Sequence, residues 1–321
     1  MPLMIQQESK INSCLNSFTD VKIRSTAAYL GLAIGDALGA TVEFMTAKEI
    51  SHQYGVHNDI IGGGWLRLPA GKVTDDTSMS LALGETIIQT QRINPYDIAH
   101  TFSAWLKSNP VDVGNTVRRG IQNFRTTNDP CTSKSENAAG NGACMRSLPI
   151  AIATLDKPHT DVVRANLYQS HITHNNALSD AGTQCVIDMV QLALQGENIN
   201  VLFSDPVVQL INSYPEFDFN SRHVINPSGY IVETLQAVFQ SLSATDSFET
   251  CLVDIVNRGG DADTTGAIAG MIAGALYGLD NIPKHWMKKL DPDIYLDCEF
   301  QAKNLYDLRM NIHTSDSNPL I

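Results

Sequence analysis

Long hydrophobic runs and clusters of basic residues are both missing from this sequence of 321 residues. The longest apolar stretch, Gly266–Gly278, covers about 13 residues, whereas a membrane-spanning helix needs about 20. Lysines and arginines number 22 against 34 aspartates and glutamates, which gives a net charge of −12. Proteins that bind nucleic acids or anionic membranes concentrate positive charge. We therefore expect no integral membrane segment and no nucleic-acid partner.

Cysteines are few, and none lies near another in the chain. The six cysteines form no Cys-x-x-Cys pair, which argues against a zinc knuckle or a disulfide framework and favours reduced thiols. Residues 1–20 lack the basic leader and the apolar stretch of a secretory signal. These features predict a cytoplasmic protein.

Alternating, strand-like patterns are scarce, whereas helical periodicity extends over most of the chain. Apolar residues recur at i, i+3, i+4 and i+7 in residues 24–44, 75–91, 94–108, 137–155, 176–196, 228–243 and 246–260. No stretch has the composition of a flexible linker. The sequence predicts an all-α fold with one compact domain at residues 24–310, between a polar extension at residues 1–23 and a tail at residues 311–321.

Small residues form a regular stripe in the apolar stretch near the C-terminus. Glycines recur at every fourth position, at Gly266, Gly270, Gly274 and Gly278. Residues four apart lie on one face of a helix, so these glycines would give a smooth surface. The pattern predicts a buried core helix against which a second helix packs closely.

Two acidic segments stand at predicted helix starts. The first is Thr74-Asp75-Asp76-Thr77, and the second is Asp261-Ala262-Asp263-Thr264-Thr265. One interpretation is a solvated helix cap, since carboxylates stabilise helix N-termini by about 0.3–1 kcal/mol. The other is a cation site, because adjacent carboxylates repel one another unless a counter-charge is present. The occurrence of two such segments favours the cation site.

The candidate ligands of both segments are all oxygen atoms, a set that suits Mg²⁺ or Mn²⁺ and disfavours zinc or copper. They are Thr74, Asp75, Asp76, Asp261, Asp263 and Thr264 or Thr265. Four aspartates carry about four negative charges, which two divalent cations would balance. Asp36 and Glu43 lie in or just beyond an apolar helix, and Asp36 is equally consistent with a hydrogen bond inside the core.

Several segments together resemble the ADP-ribosylglycohydrolase family, in the same order and over nearly the whole chain from about Arg24. They are GLAIGDALGATVEF, TDDTSMSLALG, PVDVGNTVRRG, GNGACMRSLPIA, HITHNNALSDA and NRGGDADTTGAIAGMIAGALYG. The segments look most similar to the members that act on dinitrogenase reductase.

The resemblance implies an all-α fold with a binuclear Mn²⁺ or Mg²⁺ centre in a cleft. It implies hydrolysis of the bond between ADP-ribose and an arginine side chain, with reactivation of the nitrogenase iron protein and a role in regulating nitrogen fixation. By motif matching, the metal ligands would be Thr74, Asp75, Asp76, Asp261, Asp263 and Thr264, with Asp263 bridging the two ions.

Hydrolysis of an N-glycosidic bond passes through an oxocarbenium-like centre, so the main tasks are to activate water and to hold the ribose. Asp112 and Glu43 are the two candidates for the carboxylate that accepts a proton from water. Asp112 is equally consistent with a helix cap. The sequence does not show which of the two accepts the proton.

Substrate contacts are expected at three places. The segment Ala139–Ala143 precedes a predicted helix, and glycines there would allow a diphosphate to approach backbone N–H groups; the resemblance makes Gly140, Asn141 and Gly142 substrate contacts. It likewise places His174 beside the ribose and leaves His171 structural. Tyr230 is a candidate for stacking on the adenine, or a core aromatic residue.

Two alternatives from other classes stay open at this stage. One is a hydrolase of the same fold that acts on another ADP-ribosyl linkage, such as a serine adduct, an O-acyl ester or a toxin-modified protein. The other is a non-catalytic member that binds ADP-ribose, although a mere binder has no need for so many crowded carboxylates. The resemblance also makes a PII-type signalling protein a candidate partner.

Overall fold

Helices dominate the chain, which is described from a computed structural model. The structure describes the backbone of residues 2–314 and the side chains of residues 20–314. The first eight helices are α1 (Pro2–Gly39), α2 (Ala47–Tyr54), α3 (Asp75–Thr90), α4 (Pro95–Lys107), α5 (Asn115–Thr127), α6 (Leu148–Ala153), α7 (His159–Ser170) and α8 (Ala177–Leu194).

The second half of the chain is helical in the same way. Its helices are α9 (Ile199–Leu202), α10 (Val208–Ser213), α11 (Ile231–Ala244), α12 (Phe248–Val256), α13 (Ala262–Tyr277), α14 (Lys284–Lys289) and α15 (Pro292–Leu308). A π-helical turn at Phe203–Val207 joins α9 to α10, and short 3₁₀ helices cover Glu136–Ala138, Pro215–Phe217 and Leu279–Asn281. No helix in the described residues has the length and apolar character needed to cross a membrane.

Strand structure in the described residues is confined to one short parallel pair. Strand β1 (Arg92–Ile93) pairs with β2 (His313–Thr314), which ties the end of the described chain to the segment after α3. The predicted all-α fold is therefore confirmed. Helix α1 runs without a break past the predicted domain start at residue 24, and Met1 and residues 315–321 lie outside the described residues.

The two helices that carry the glycine stripe and its partner cross in the core. Helix α13 is buried over nearly its whole length and packs on α1. A Cβ atom on Gly31 would lie 2.1 Å from the carbonyl oxygen of Gly270, and one on Gly35 would lie 2.0 Å from that of Gly266. Contacts this short leave no room for a side chain. The predicted close packing is confirmed for Gly266 and Gly270, whereas Gly278 lies just after α13 and a Cβ atom there would meet nothing within 4 Å. The packing brings the end of α1 next to the acidic start of α13.

One predicted helix is wrong in its extent. Helical periodicity extended over residues 137–155, and the helix was expected to follow the glycine loop Ala139–Ala143 directly and to run through residues 144–153. The structure has turns at residues 141–146, and α6 begins at Leu148. Pro149 explains the difference, because its ring lacks an N–H and would clash with the carbonyl group four residues earlier. The glycine loop therefore stands before a series of turns rather than at a helix N-terminus.

Candidate metal centre and substrate cleft

The second acidic segment is placed by a backbone turn that only glycine allows. Gly259 and Gly260 have φ angles of 74° and 70°, and a Cβ atom on Gly260 would lie 2.2 Å from the carbonyl oxygen of Pro227. Arg258 fixes the same turn by donating to the Val224 carbonyl and to Asp254. The turn delivers Asp261 to the start of α13, with Asp263 in the first turn of that helix.

The first acidic segment is held by a carboxylate from another helix. Asp36 of α1 accepts hydrogen bonds from the Thr74 N–H at 2.9 Å, the Thr77 N–H at 3.1 Å and the Thr77 hydroxyl at 2.6 Å. Thr74 itself makes no side-chain cap. Asp36 thus accepts from two backbone N–H groups at the start of α3 and fixes the position of Asp75 and Asp76 between them.

The two acidic segments meet in space, as a cation site requires. The Thr264 hydroxyl donates to Asp76 Oδ2 at 3.3 Å, and the Thr74 hydroxyl donates to the same oxygen at 3.0 Å. Carboxylate oxygens of Glu43, Asp261 and Asp263 all lie within 4.8 Å of one another. We call these three residues with Asp75 and Asp76 the carboxylate cluster.

Burial makes the carboxylate cluster electrostatically costly without a cation. It raises the pKa of Glu43 to about 8 and that of Asp75 to about 7, with repulsion from Asp112 adding to both. Burial also raises the pKa of Asp76, Asp261 and Asp263. Bound divalent cations would reverse this balance, because they stabilise the charged carboxylates.

One atom in the cluster gives a direct test of the fit to a metal ion. Asp76 Oδ1 is fully buried and has no hydrogen-bond partner. An unpaired buried carboxylate oxygen is unfavourable, since almost all buried polar atoms have a partner. An all-oxygen donor set with an unpaired oxygen fits a hard cation. The carboxylate cluster can therefore hold metal ions, as the oxygen-rich motifs predicted.

A cleft of about 330 Å³ opens onto the carboxylate cluster. The described residues that line it include no lysine or arginine. They are Glu43, Phe44, Asp75, Asp112, Gly114, Asn115, Thr116, Val117, Gly140, Asn141, Gly142, Met145, His174, Gly229, Asp261, Asp263 and Thr264. The cleft thus gathers most of the sequence-predicted site residues; Thr74 and Asp76 lie beneath it, bonded to each other.

The glycine loop packs directly on His174. A Cβ atom on Gly140 would lie 3.0 Å from His174 Nε2, and one on Gly142 would lie 2.8 Å from its Cε1. Between the two glycines, the Asn141 side chain donates to Asp261 Oδ2 at 2.6 Å and to the Thr234 hydroxyl at 3.0 Å. Asn141 therefore links the loop to the carboxylate cluster, and no local sequence pattern predicts this contact.

His174 is held by a buried chain of hydrogen bonds. The Arg146 guanidinium donates to the Thr173 hydroxyl oxygen at 2.8 Å, and that hydroxyl lies 2.7 Å from His174 Nδ1. Since Thr173 accepts from Arg146, its own proton is free to donate to Nδ1, which leaves the ring proton on Nε2, facing the glycine loop. Burial and the charges of Arg146 and Arg119 lower the pKa of His174 to about 3, so the ring is neutral.

The remaining candidates lie in different surroundings. Asp112 is half-buried in the loop before α5 and lines the cleft. Tyr230 is 39% exposed and forms a bridge with Gly140 at the cleft edge. His171 Nε2 lies 3.0 Å from Asp180 Oδ2. Burial lowers the pKa of His171, but its contacts with Asp180 and Cys131 outweigh burial and raise that pKa to about 9.

Sequence reasoning missed Trp65, a residue in direct contact with the cluster. Its indole N–H donates to Glu43 Oε2 at 2.7 Å. The only signal is its position after three glycines, Gly62–Gly64, which the sequence showed merely as a loop.

Comparison with known proteins confirms the resemblance drawn from the sequence. The chain belongs to the ADP-ribosylglycohydrolase family, whose model matches residues 18–314. It is 47% identical over 285 residues to the ADP-ribosyl-[dinitrogen reductase] glycohydrolase of Rhodospirillum rubrum. The aligned region covers 89% of this chain and 96% of that protein.

More distant relatives and solved structures agree with this assignment. The ADP-ribosylarginine hydrolase Tri1 of Serratia proteamaculans is 32% identical over 293 residues, covering 86% of this chain and 78% of that protein. A solved structure described as an ADP-ribosylglycohydrolase-related protein complex superposes with a TM-score of 0.80 at 31% identity, covering 91% of this chain and 100% of that one. Fold and family are therefore established together.

Proposed function

We propose that this chain is a metal-dependent hydrolase that removes ADP-ribose from an arginine side chain of a modified protein, with dinitrogenase reductase as that protein. The observation that carries the proposal is the meeting of the two acidic segments beside a cleft, with Thr264 donating to Asp76. The substrate assignment is supported by the names of the relatives from R. rubrum and S. proteamaculans.

Two divalent cations, Mn²⁺ or Mg²⁺, are proposed as the cofactors. Their ligands would come from Thr74, Asp75, Asp76, Asp261, Asp263 and Thr264, and the position of Glu43 against Asp261 and Asp263 favours it as a further ligand. Such cations would supply positive charge that orients the ribose hydroxyls and makes a water molecule more acidic. The unpaired oxygen of Asp76 supports this role for the buried carboxylates.

The two candidates for the general base differ in their surroundings. Glu43 also lines the cleft, but it is buried, accepts from Trp65 and has a carboxylate oxygen within 4.8 Å of oxygens of Asp261 and Asp263, which suits a metal ligand better than a general base. Asp112 is half-buried and lines the cleft. We therefore assign proton acceptance to Asp112, because a general base must lie within hydrogen-bond reach of the attacking water and Glu43 would be engaged by the metal ions.

The chemical step then balances as a hydrolysis. The oxygen of water bonds to the anomeric carbon of the ribose while a proton of that water passes to Asp112. The bond from the anomeric carbon to the guanidine nitrogen breaks, and its electron pair stays on nitrogen. The linked group is already cationic, so the guanidine leaves neutral and is then protonated by solvent.

Binding of the ADP-ribose part is assigned to the other wall of the cleft. The backbone of Gly140 and Gly142 is close to His174, whose Nε2–H can donate to a ribose hydroxyl. Asn141 would position this loop through Asp261. Tyr230 is exposed beside Gly140, which supports stacking on the adenine rather than a core role. A PII-type partner and a cytoplasmic location stay predictions.

The test is release of ADP-ribose from an arginine-ADP-ribosylated protein, with Mn²⁺ and with excess chelator. We expect release only with the metal, and much slower release from serine-linked and ester-linked substrates. Asp112→Asn should abolish turnover while the protein still gains thermal stability from Mn²⁺, whereas Glu43→Gln should weaken that gain. Faster cleavage of a serine-linked or ester-linked substrate would overturn the arginine assignment.

A further inference from the structure

Two exposed aromatic side chains stand beside the carboxylate cluster. Phe44 is 64% exposed and Trp65 is 52% exposed, and their ring centroids lie 5.4 Å apart. The Trp65 indole also holds Glu43 through its N–H. Exposed aromatic pairs at the edge of a site commonly mark a binding surface, because their solvation is unfavourable and their packing adds nothing to the core.

The backbone is unusual at Phe44 and in the loop of three glycines just before Trp65. Gly62, Gly63 and Gly64 have φ angles of 70°, 91° and 67°, and a Cβ atom on Gly64 would lie 2.3 Å from the Ala40 carbonyl oxygen. The loop can thus press on the end of α1 and deliver Trp65 to Glu43. Phe44 has a φ of 61°, which a bulky residue rarely adopts. Strain of this kind at a site edge points to a functional role.

The two rings line a second cavity that continues from the cleft. It measures about 340 Å³ and shares Glu43 and Phe44 with the cleft. Tyr54 and Gln53 also line it, and its described lining contains no lysine or arginine. A cavity with aromatic walls and one carboxylate at its inner edge suits a planar cation.

We propose that Trp65 and Phe44 form the subsite for the arginine side chain of the substrate, with its guanidinium stacked on the aromatic rings. The inference rests on the proposed function and names the part of the substrate that lies beyond the ADP-ribose. Glu43 stands at the boundary of the two cavities, which places the bond between ribose and guanidine beside the carboxylate cluster.

The chemistry of the guanidinium explains why this subsite would select arginine. Its planar, weakly hydrated cation stacks well on tryptophan, the aromatic residue most favourable for cation–π contacts. A serine-linked or ester-linked substrate offers no such cation. The subsite would therefore add affinity for arginine-linked substrates without changing the affinity for free ADP-ribose.

Steady-state kinetics with ADP-ribosylagmatine, a small guanidine-linked substrate, tests this subsite. For Trp65→Ala we expect kcat/KM to fall at least about tenfold, mainly through KM, while the inhibition constant of free ADP-ribose changes less than twofold. Trp65→Phe keeps an aromatic face but loses the N–H bond to Glu43, so we expect it to retain most of the affinity for the substrate. Phe44→Leu should show an intermediate rise in KM.

Phe300→Ala is the matched control, since it removes a 53% exposed aromatic side chain of α15 that lines neither cavity. Its KM should equal that of the wild type. An unchanged KM in Trp65→Ala would overturn the subsite, and so would an equal loss in Trp65→Phe and Trp65→Ala, because Glu43 positioning would then explain the effect. Failure of the wild type itself to cleave ADP-ribosylagmatine would instead refute the proposed function.

Discussion

Thr264 donates a hydrogen bond to Asp76 at 3.3 Å, although 188 positions of sequence separate the two residues. The contact joins the start of α13 to the start of α3. It depends on the glycine-mediated crossing of α1 and α13, and on Asp36, which ties the start of α3 to α1. The meeting of the two acidic segments is therefore a product of the packing of three helices.

Removing one cluster charge should separate metal binding from folding. Asp263→Asn keeps the size of the side chain but removes a negative charge, so we expect the stabilisation by Mn²⁺ to be largely lost and turnover to fall at least about 100-fold. Thermal unfolding with and without Mn²⁺ measures the first effect. Asp297→Asn, which neutralises an exposed carboxylate on α15, should behave as the wild type in both assays.

The chelated protein should lose stability as the pH rises. Burial raises the folded pKa of Asp75 to about 7 and that of Glu43 to about 8, above their values in the unfolded chain. Between the unfolded and the folded pKa the folded state binds more protons, so its stability falls as the pH rises over that window, by about 1.4 kcal/mol per pH unit for each proton, and levels off above the folded values.

We expect the Tm of the chelated protein to drop by about 5 °C or more between pH 6 and pH 8. Saturating Mn²⁺ should remove most of that drop. His171, whose folded pKa is about 9, contributes in the same direction, but it contributes equally with and without metal and cancels in the comparison. A pH dependence that Mn²⁺ leaves unchanged would contradict the electrostatic account of the cluster.

Thr173 should determine which nitrogen of His174 carries the proton. Thr173→Val removes both the acceptor for Arg146 and the donor to His174 Nδ1. We expect mixed tautomers in the histidine ¹⁵N spectrum, a loss of about 1–3 kcal/mol of stability and a tenfold lower kcat/KM. Thr173→Ser should restore the tautomer and the activity. An unchanged ¹⁵N spectrum in Thr173→Val would refute this role.

The helix crossing should tolerate no added methyl group. Gly35→Ala would place a Cβ atom 2.0 Å from the Gly266 carbonyl oxygen, so the helices must separate. We expect a loss of about 3 kcal/mol or more in the free energy of unfolding, measured by urea denaturation. Gly114→Ala is the control, because its Cβ atom would lie 3.8 Å from the nearest atom, on Val117. Equal stability of the two variants would contradict this packing.

The sequence predicted what depends on local patterns. Periodicity gave the helices, and the spacing of Asp and Thr residues gave both acidic segments, since these signals lie within a few positions. Contacts made by tertiary packing had no such local signal. Examples are the hydrogen bonds from Trp65 to Glu43 and from Asn141 to Asp261. The chain from Arg146 through Thr173 to His174 is another. The helix expected from residue 144 starts only at Leu148, and Pro149 was a local signal for this later start that periodicity alone does not include.

The most direct test of the metal centre is anomalous diffraction at the manganese edge from crystals grown with Mn²⁺. The account predicts two strong peaks bounded by Asp76, Asp261 and Asp263, with the Asp76 oxygen that now lacks a partner in contact with one of them. Peaks elsewhere on the protein, with none among these carboxylates, would contradict it.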